Sequence, residues 1–241
     1  MIYGAILAGG VGRRLTGSSI PKQFVPIGDI PIVIWTMKPF VKNKRVDEIY
    51  VAVHKDWIGD TESLFKKFFP DDIGRIHIVE GGTERIDSFF NIVNHIVSQK
   101  KTSPDDIVVF QEGVRPFSNP NTIDACIDTA LEYKYATAVT PMIYSIAVSE
   151  DGDYLNGSLD RGNLYEIHTP SGFNVEMLYN ATRNIGEEYR KRATCTSMLM
   201  LMLGNKVKTF LTQPGDFKIT TDKDLQYAKY LYDNNIFKFD R

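Results

Sequence analysis

The run Ala5-Ile6-Leu7-Ala8-Gly9-Gly10-Val11-Gly12-Arg13-Arg14, completed by Pro21-Lys22-Gln23-Phe24, decides how this chain reads. The apolar residues from Ile2 to Leu7 form a short unbroken stretch that suits a buried strand. That strand breaks into three glycines and two arginines. Glycine has no Cβ, so at Gly9, Gly10 and Gly12 a ligand can approach closely enough to bond backbone N–H groups. Arg14 can fork onto two oxygens, and Lys22 adds a point charge. Bare amides and cations at a strand end grip a polyphosphate.

Two common phosphate loops are excluded. No Gly-Lys-Ser/Thr ending follows a glycine at the Walker spacing. The dinucleotide fingerprint wants glycine where Leu15 stands, and an acid where the second strand ends in Val53-His54.

Outward from the loop, strand and helix patterns alternate. The pattern predicts a helix over 31–41, a strand over 48–53, a helix over 60–69, a strand over 76–79, a helix over 85–98, a strand over 107–110, a helix over 121–133 and a strand over 137–141. Such alternation makes an α/β fold with right-handed crossovers and ligands beyond the carboxyl ends of the strands. Three loops then face one crevice: the glycine loop, the turn from Glu80 to Arg85, and the turn from Gln111 to Phe117.

Between 143 and 163, apolar and polar groups alternate around Glu150-Asp151-Gly152-Asp153, a hairpin signal. This reads as an arm, and its apolar surface calls for a partner subunit, so a homodimer through the arm is expected. The chain then returns through 165–168, and helices over 175–184 and 196–203, a strand over 207–211 and a terminal helix from Thr221 follow. With no repeat, low-complexity tract or linker, a single domain over 1–241 with its arm at about 143–163 is expected.

The chain has 241 residues, 43% hydrophobic and 24% charged, enough to bury a full core. A net charge of -2 argues against nucleic acid or an anionic membrane as partner, because both need clustered Lys and Arg. Cys126 and Cys195 are far apart and in no metal-ligand spacing, which fits a reducing cytoplasm. The first residues are a core strand with no signal-peptide pattern, and no apolar run reaches the roughly 20 residues of a membrane span.

The glycine loop, its arginine and the following Pro-Lys resemble the opening of nucleotidyltransferases that activate phosphorylated sugars and polyols. The form Pro21-Lys22-Gln23-Phe24 is similar to that of the cytidylyltransferases acting on methylerythritol phosphate and ribitol phosphate. The resemblance implies a Rossmann-like nucleotidyltransferase fold, a mostly parallel sheet with flanking helices and a protruding β-hairpin arm. It implies CTP and a polyol phosphate as substrates and magnesium (Mg2+) as cofactor. In that reaction a phosphate oxyanion attacks the α-phosphorus and pyrophosphate leaves. No proton has to be removed, so positioning and charge neutralisation carry the barrier.

The resemblance assigns catalytic roles to Arg14, Lys22 and Lys218, the last in Lys218-Ile219-Thr220, similar to the family's closing motif. Nucleotide binding falls to Leu7, Ala8, Gly9, Gly10 and Gly12 in the first loop, to Gly81, Gly82, Arg85 and Ser88 in the second, and to Glu112 and Gly113 in the third. Glu112 stands where the family carries an aspartate that would hold magnesium. Arg115, Ser145, Arg161, Thr169 and Thr194 would meet the acceptor, Arg161 by reaching from the arm into a neighbouring subunit.

Departures from the family pattern cluster on the acceptor side. Its Asp-Thr becomes Tyr144-Ser145, its Thr-Pro-Gln becomes Thr169-Pro170-Ser171, and its Thr-Asp becomes Thr194-Cys195. The nucleotide half therefore reads as kept and the acceptor pocket as altered. The opening Ile2-Tyr3-Gly4-Ala5-Ile6-Leu7-Ala8-Gly9-Gly10 favours the ribitol phosphate branch. Methylerythritol phosphate or another sugar or alditol phosphate stays open as acceptor. So do a sugar-1-phosphate enzyme using another nucleotide and an inactive nucleotide-binding protein. His54 and His168 read as structural histidines near the crevice, His77 and His95 as parts of apolar patterns, and Cys195 as inert.

Overall fold

A computed structural model describes residues 1–10, 20–213 and 215–236. In chain order the elements are β1 (Ile2–Ala8), β2 (Pro26–Ile27), β3 (Ile30–Pro31), α1 (Ile32–Lys42), β4 (Glu48–Val53), α2 (Ile58–Phe68), β5 (Ile76–Glu80) and α3 (Arg85–Gln99). They continue with β6 (Ile107–Glu112), α4 (Pro120–Tyr133), β7 (Tyr135–Pro141), β8 (Ile146–Val148), β9 (Gly157–Leu159) and β10 (Tyr165–Asn174). The last are α5 (Val175–Thr182), α6 (Glu187–Arg192), α7 (Thr196–Met202), β11 (Lys208–Leu211) and α8 (Asp222–Asp233).

The central sheet has 7 strands in the order β11-β7-β10-β6-β1-β4-β5. β1 pairs in parallel with β4 and β6, β4 with β5, and β11 with β7. The expected mostly parallel α/β sheet is what forms. Successive side chains of a strand point to opposite faces, and this splits the core. Ile6, Val51 and Val109 join the cluster under α1, α2 and α4, while Ala5, Tyr50 and Phe110 join Phe89 and Ile92 of α3 on the other face. A third cluster gathers Ile27, Trp35, Phe117 and Leu231, fastening α8 against β2 and β3. β6 is buried along its whole length, which is why it reads as an unbroken apolar run ending in polar Gln111 and Glu112.

One expectation is corrected in the sheet. The segment foreseen only as the chain's return through 165–168 opens a strand that continues to Asn174 and runs antiparallel to both β6 and β7, filling the gap between them. Thr169-Pro170-Ser171-Gly172 looks like a turn in sequence, because Pro and Gly interrupt strands. Here the ladder changes register between Ile167 and Ser171, and such an irregularity accommodates a proline that cannot donate to the ladder. Because β10 is antiparallel, its first half lies beside the carboxyl ends of its neighbours.

β8 and β9 pair as the expected hairpin arm. Tyr144, Tyr154 and Leu155 on it are 70%, 74% and 78% exposed, so this chain alone does not cover the arm's apolar groups. α6, a short turn of charged residues, was not expected from the pattern.

Candidate active site

Two clefts open beyond the carboxyl ends of β1, β5 and β6. The first, about 330 Å³, is lined by Leu7, Ala8, Gly9, Gly10, Lys22, Gln23, Gly82, Arg85, Ser88, Glu112 and Lys218, together with Thr83, Glu84 and Val114. The second, about 320 Å³, is lined by Arg115, Glu166, Ile167, His168, Thr169, Ser171, Cys195, Thr196 and Ser197, and again by Arg85, Glu112 and Lys218. The three shared residues mark the junction.

The first cleft is shaped by backbone approach. β1 and β6 are in register, so Gly113 N–H donates to Leu7 O at 2.9 Å, and a side chain at 113 would come 2.9 Å from Ala8 Cβ. At Gly9 an added Cβ would stand 2.9 Å from Ser88 Oγ. Ser88, buried in the first turn of α3, accepts from Gly82 N–H at 3.1 Å and holds the second loop beside the first. Gln23 Nε2 donates to Ala8 O at 2.6 Å and Gly10 O at 2.8 Å, pinning the glycine loop from the side. Gln23 was quoted in the motif but given no role; an amide flanked by two glycine-loop carbonyls explains its place.

At the junction Glu112 is the hub. Lys218 Nζ donates to its Oε1 at 2.5 Å, Arg85 stands 3.3 Å from the same oxygen, and Arg115 Nε donates to Oε2 at 3.0 Å. Burial would raise this carboxyl, but the charges of Arg85, Arg115 and Lys218 outweigh it and hold the group down at about 2. Arg115 is itself spent: Nη1 reaches Asp216 at 3.4 Å and Nη2 reaches His168 Nδ1 at 3.2 Å. Asp216 is raised by burial, and less by the Glu112 charge, against the pull of Arg115, and among the described residues its buried Oδ2 has no hydrogen-bond partner. Lys22 Nζ donates to Ile219 O at 3.2 Å, which ties the first loop to the segment carrying Lys218.

Not every assigned residue lines one of the two clefts. Gly81 and Gly113 line neither cleft; their N–H groups are spent on Val53 O and Leu7 O, so they frame the loops and contribute no donor to a ligand. Arg115, expected to meet the acceptor, lines the second cleft with each of its guanidinium nitrogens engaged within the protein, bracing Glu112 and His168. Thr194 borders a small side pocket and holds Arg85 through its carbonyl at 3.3 Å. Ser145 and Arg161 lie on the exposed arm away from both clefts, and Arg161 Nη1 donates to Ile143 O at 2.9 Å. The roles given to Gly12 and Arg14 lie outside the described residues. His168, read as a satisfied structural histidine, is only half satisfied: Nδ1 meets Arg115, while among the described residues buried Nε2 makes no hydrogen bond and stands 3.5 Å from Glu166 Oε2. Single positions in a β-strand give no signal of which face they take until register is known, so this pair was hidden.

For magnesium the donor set is narrow but suitable. Among the described residues no three His, Cys, Asp or Glu side chains converge. Magnesium, however, commonly takes one or two carboxylates and draws its other ligands from phosphate and water. Glu112 Oε1 is held by Lys218 and Arg85, whose side chains are 31% and 37% exposed; Oε2 is held by buried Arg115. Oε1, on the more exposed side, is the oxygen that would meet a metal. Among the described residues no helix is long and apolar enough to cross a membrane.

The chain is similar to known proteins over nearly its whole length. A family model described as 2-C-methyl-D-erythritol 4-phosphate cytidylyltransferase (IspD) matches residues 2–234. A ribitol-5-phosphate cytidylyltransferase of Streptococcus pneumoniae is 33% identical over 235 residues, which is 98% of this chain and 100% of that protein. Among solved structures, the 4-diphosphocytidyl-2C-methyl-D-erythritol synthase of Anaerococcus prevotii aligns with a TM-score of 0.79 at 24% identity over 96% of each chain. The 2-C-methyl-D-erythritol 4-phosphate cytidylyltransferase of Francisella tularensis aligns with a TM-score of 0.76 at 21% identity, over 95% of this chain and 98% of that one. At such identities these two likenesses speak for the fold.

Proposed function

The chain belongs to the 2-C-methyl-D-erythritol 4-phosphate cytidylyltransferase (IspD) family, and from that premise we propose that it joins CTP and ribitol 5-phosphate, giving CDP-ribitol and pyrophosphate. It is a cytidylyltransferase. The observation that carries the proposal is the pair of clefts sharing Arg85, Glu112 and Lys218: a nucleotide in one and an acceptor phosphate in the other would meet at those cations. The full-length similarity to a ribitol-5-phosphate enzyme and the opening Ile2–Gly10 sequence support ribitol phosphate over methylerythritol phosphate.

In this reading the glycine loop and Lys22 hold the triphosphate, with Arg14 reaching the same phosphates. An oxygen of the acceptor phosphate forms a bond to the α-phosphorus while the bond from that phosphorus to the bridging oxygen breaks, and pyrophosphate leaves. Lys218 passes from Glu112 to the α-phosphate, where negative charge concentrates in the transition state. Glu112 would hold magnesium, whose charge offsets that of the triphosphate. Ser88 and Gly82 shape the slot for the base, and a pyrimidine suits it better than a purine. The arm docks on a second copy, forming a homodimer and presenting Arg161 to its neighbour's acceptor.

The test is pyrophosphate release from CTP and magnesium over a panel of ribitol 5-phosphate, methylerythritol 4-phosphate, glycerol phosphate and other alditol phosphates. Ribitol 5-phosphate should be turned over best, and ATP, GTP and dTTP should not replace CTP. Lys22→Ala and Lys218→Ala should each lower kcat by about 100-fold or more with the fold intact. Preference for methylerythritol phosphate would move the enzyme to the other branch. Bound CTP with no pyrophosphate from any acceptor would leave a nucleotide-binding protein without this chemistry.

A further inference from the structure

We propose that Glu166 is the side chain that recognises the hydroxyl groups of the acceptor, held for this by His168. This rests on the reading of the second cleft as the acceptor site. That cleft is an anion site, with Arg85, Arg115 and Lys218 in its wall. Its two carboxylates are in unlike states. Glu112 is buried and answered by all three cations. Glu166 is 48% exposed and among the described residues pairs with no lysine or arginine; His168 stands beside it, with Nε2 to Oε2 at 3.5 Å.

A carboxylate without a cation in a cleft meant for phosphate repels the ligand's charged end. Its place is explained if the other end of the ligand brings donors. Ionised carboxylates accept hydrogen bonds only, and the hydroxyls of a polyol supply them. The helix start at Cys195, which lines the same cleft, carries no acid to do this.

The orientation of Glu166 follows from a chain of contacts. Arg115 is always a donor, so His168 Nδ1 accepts from Nη2 at 3.2 Å and the imidazole proton sits on Nε2, toward Glu166. Burial and then the Arg115 charge lower the histidine's proton affinity, which agrees with a neutral ring. His168 is therefore a positioning residue, fixing Glu166 relative to the Glu112–Arg115 hub from the same strand.

The experiment is steady-state kinetics with D-ribitol 5-phosphate and its singly deoxygenated analogues, on the wild type, Glu166→Ala, Glu166→Gln, His168→Ala and His168→Gln. Glu166→Ala should raise the acceptor KM about tenfold or more and change the KM for CTP less than about twofold. One deoxy analogue should be poor for the wild type and no worse than ribitol 5-phosphate for Glu166→Ala. Inorganic phosphate should inhibit Glu166→Ala and Glu166→Gln more strongly than the wild type, because a repelling charge is gone. His168→Ala should share the acceptor defect, with partial rescue in His168→Gln, whose amide also donates.

Equal changes in both KM values, or a deoxy series ranked alike in wild type and Glu166→Ala, would overturn the assignment while leaving the activity standing. If ribitol 5-phosphate is inert and methylerythritol 4-phosphate active, the same cycle is run with deoxy analogues of the latter and judged by the same outcomes. If no acceptor in the panel is used, the cytidylyl-transfer reading fails and the assignment falls with it.

Discussion

Glu112 is the residue through which stability and activity are coupled. Its carboxyl titrates at about 2 in the fold, against 4.5 ordinarily, because three cations outweigh the cost of burial. A depressed carboxylate stabilises the fold above the unfolded value and loses that contribution as pH falls through the folded one. The shift corresponds to about 3 kcal/mol. Glu112→Gln should therefore lower stability at pH 7 by about 3 kcal/mol or more, since it also leaves Arg85, Arg115 and Lys218 facing each other. The difference from wild type should shrink between pH 4.5 and about 2. Urea unfolding at pH 7 and pH 3 checks this. Asp216 is raised by burial and, to a lesser degree, by the Glu112 charge, so it acts in the opposite sense and its effect shrinks in Glu112→Gln, offsetting part of the loss. The motif in sequence marks Glu112, Arg115 and Lys218, but not that they hold one another, since Lys218 is 106 residues away.

Among the elements, α8 and β10 set the precision of the site. α8 begins with a capping box: Asp224 N–H donates to Thr221 Oγ1, and Asp224 Oδ2 accepts from the N–H groups of Thr220 and Thr221 at 2.8 Å and 2.7 Å. Those amides follow directly on Lys218 and on Ile219, whose carbonyl holds Lys22. Asp224→Ala should lower stability by about 1 kcal/mol. It should also raise the KM for CTP, because the backbone between the two lysines loses its anchor; thermal unfolding and initial rates measure the two effects. β10 was the least legible element. Period-2 patterning fails over Thr169-Pro170-Ser171-Gly172, and only pairing to both β6 and β7 makes it a strand. That misreading of β10 is also why Glu166 went unnamed and His168, though set near the crevice, was given only a structural role.

At the scale of the whole molecule the arm is the unfinished part. Ile143, Tyr144, Tyr154 and Leu155 stand mostly in solvent, a set of large apolar groups that a lone chain has reason to bury. Sedimentation equilibrium should give twice the chain mass for the wild type. The double change Tyr154→Ser with Leu155→Ser should shift it toward a single chain and raise the acceptor KM, because Arg161 sits on the same hairpin. A wild type that sediments as a single chain would remove the dimer from the proposal.

By itself the sequence determined the alternation of strands and helices, the glycine-rich segment after the first strand, the arm and the cytidylyltransferase resemblance. Each is encoded locally, in the period of apolar residues or in motifs a few residues long. Tertiary structure decided the antiparallel insertion of β10, the spending of Gly81 and Gly113 on neighbouring carbonyls, and the gathering of Arg85, Arg115 and Lys218 on Glu112. It also decided which acid faces the second cleft. These are matters of register and of approach between residues far apart in the chain, and neither spacing nor composition records which distant side chains share a low-dielectric pocket.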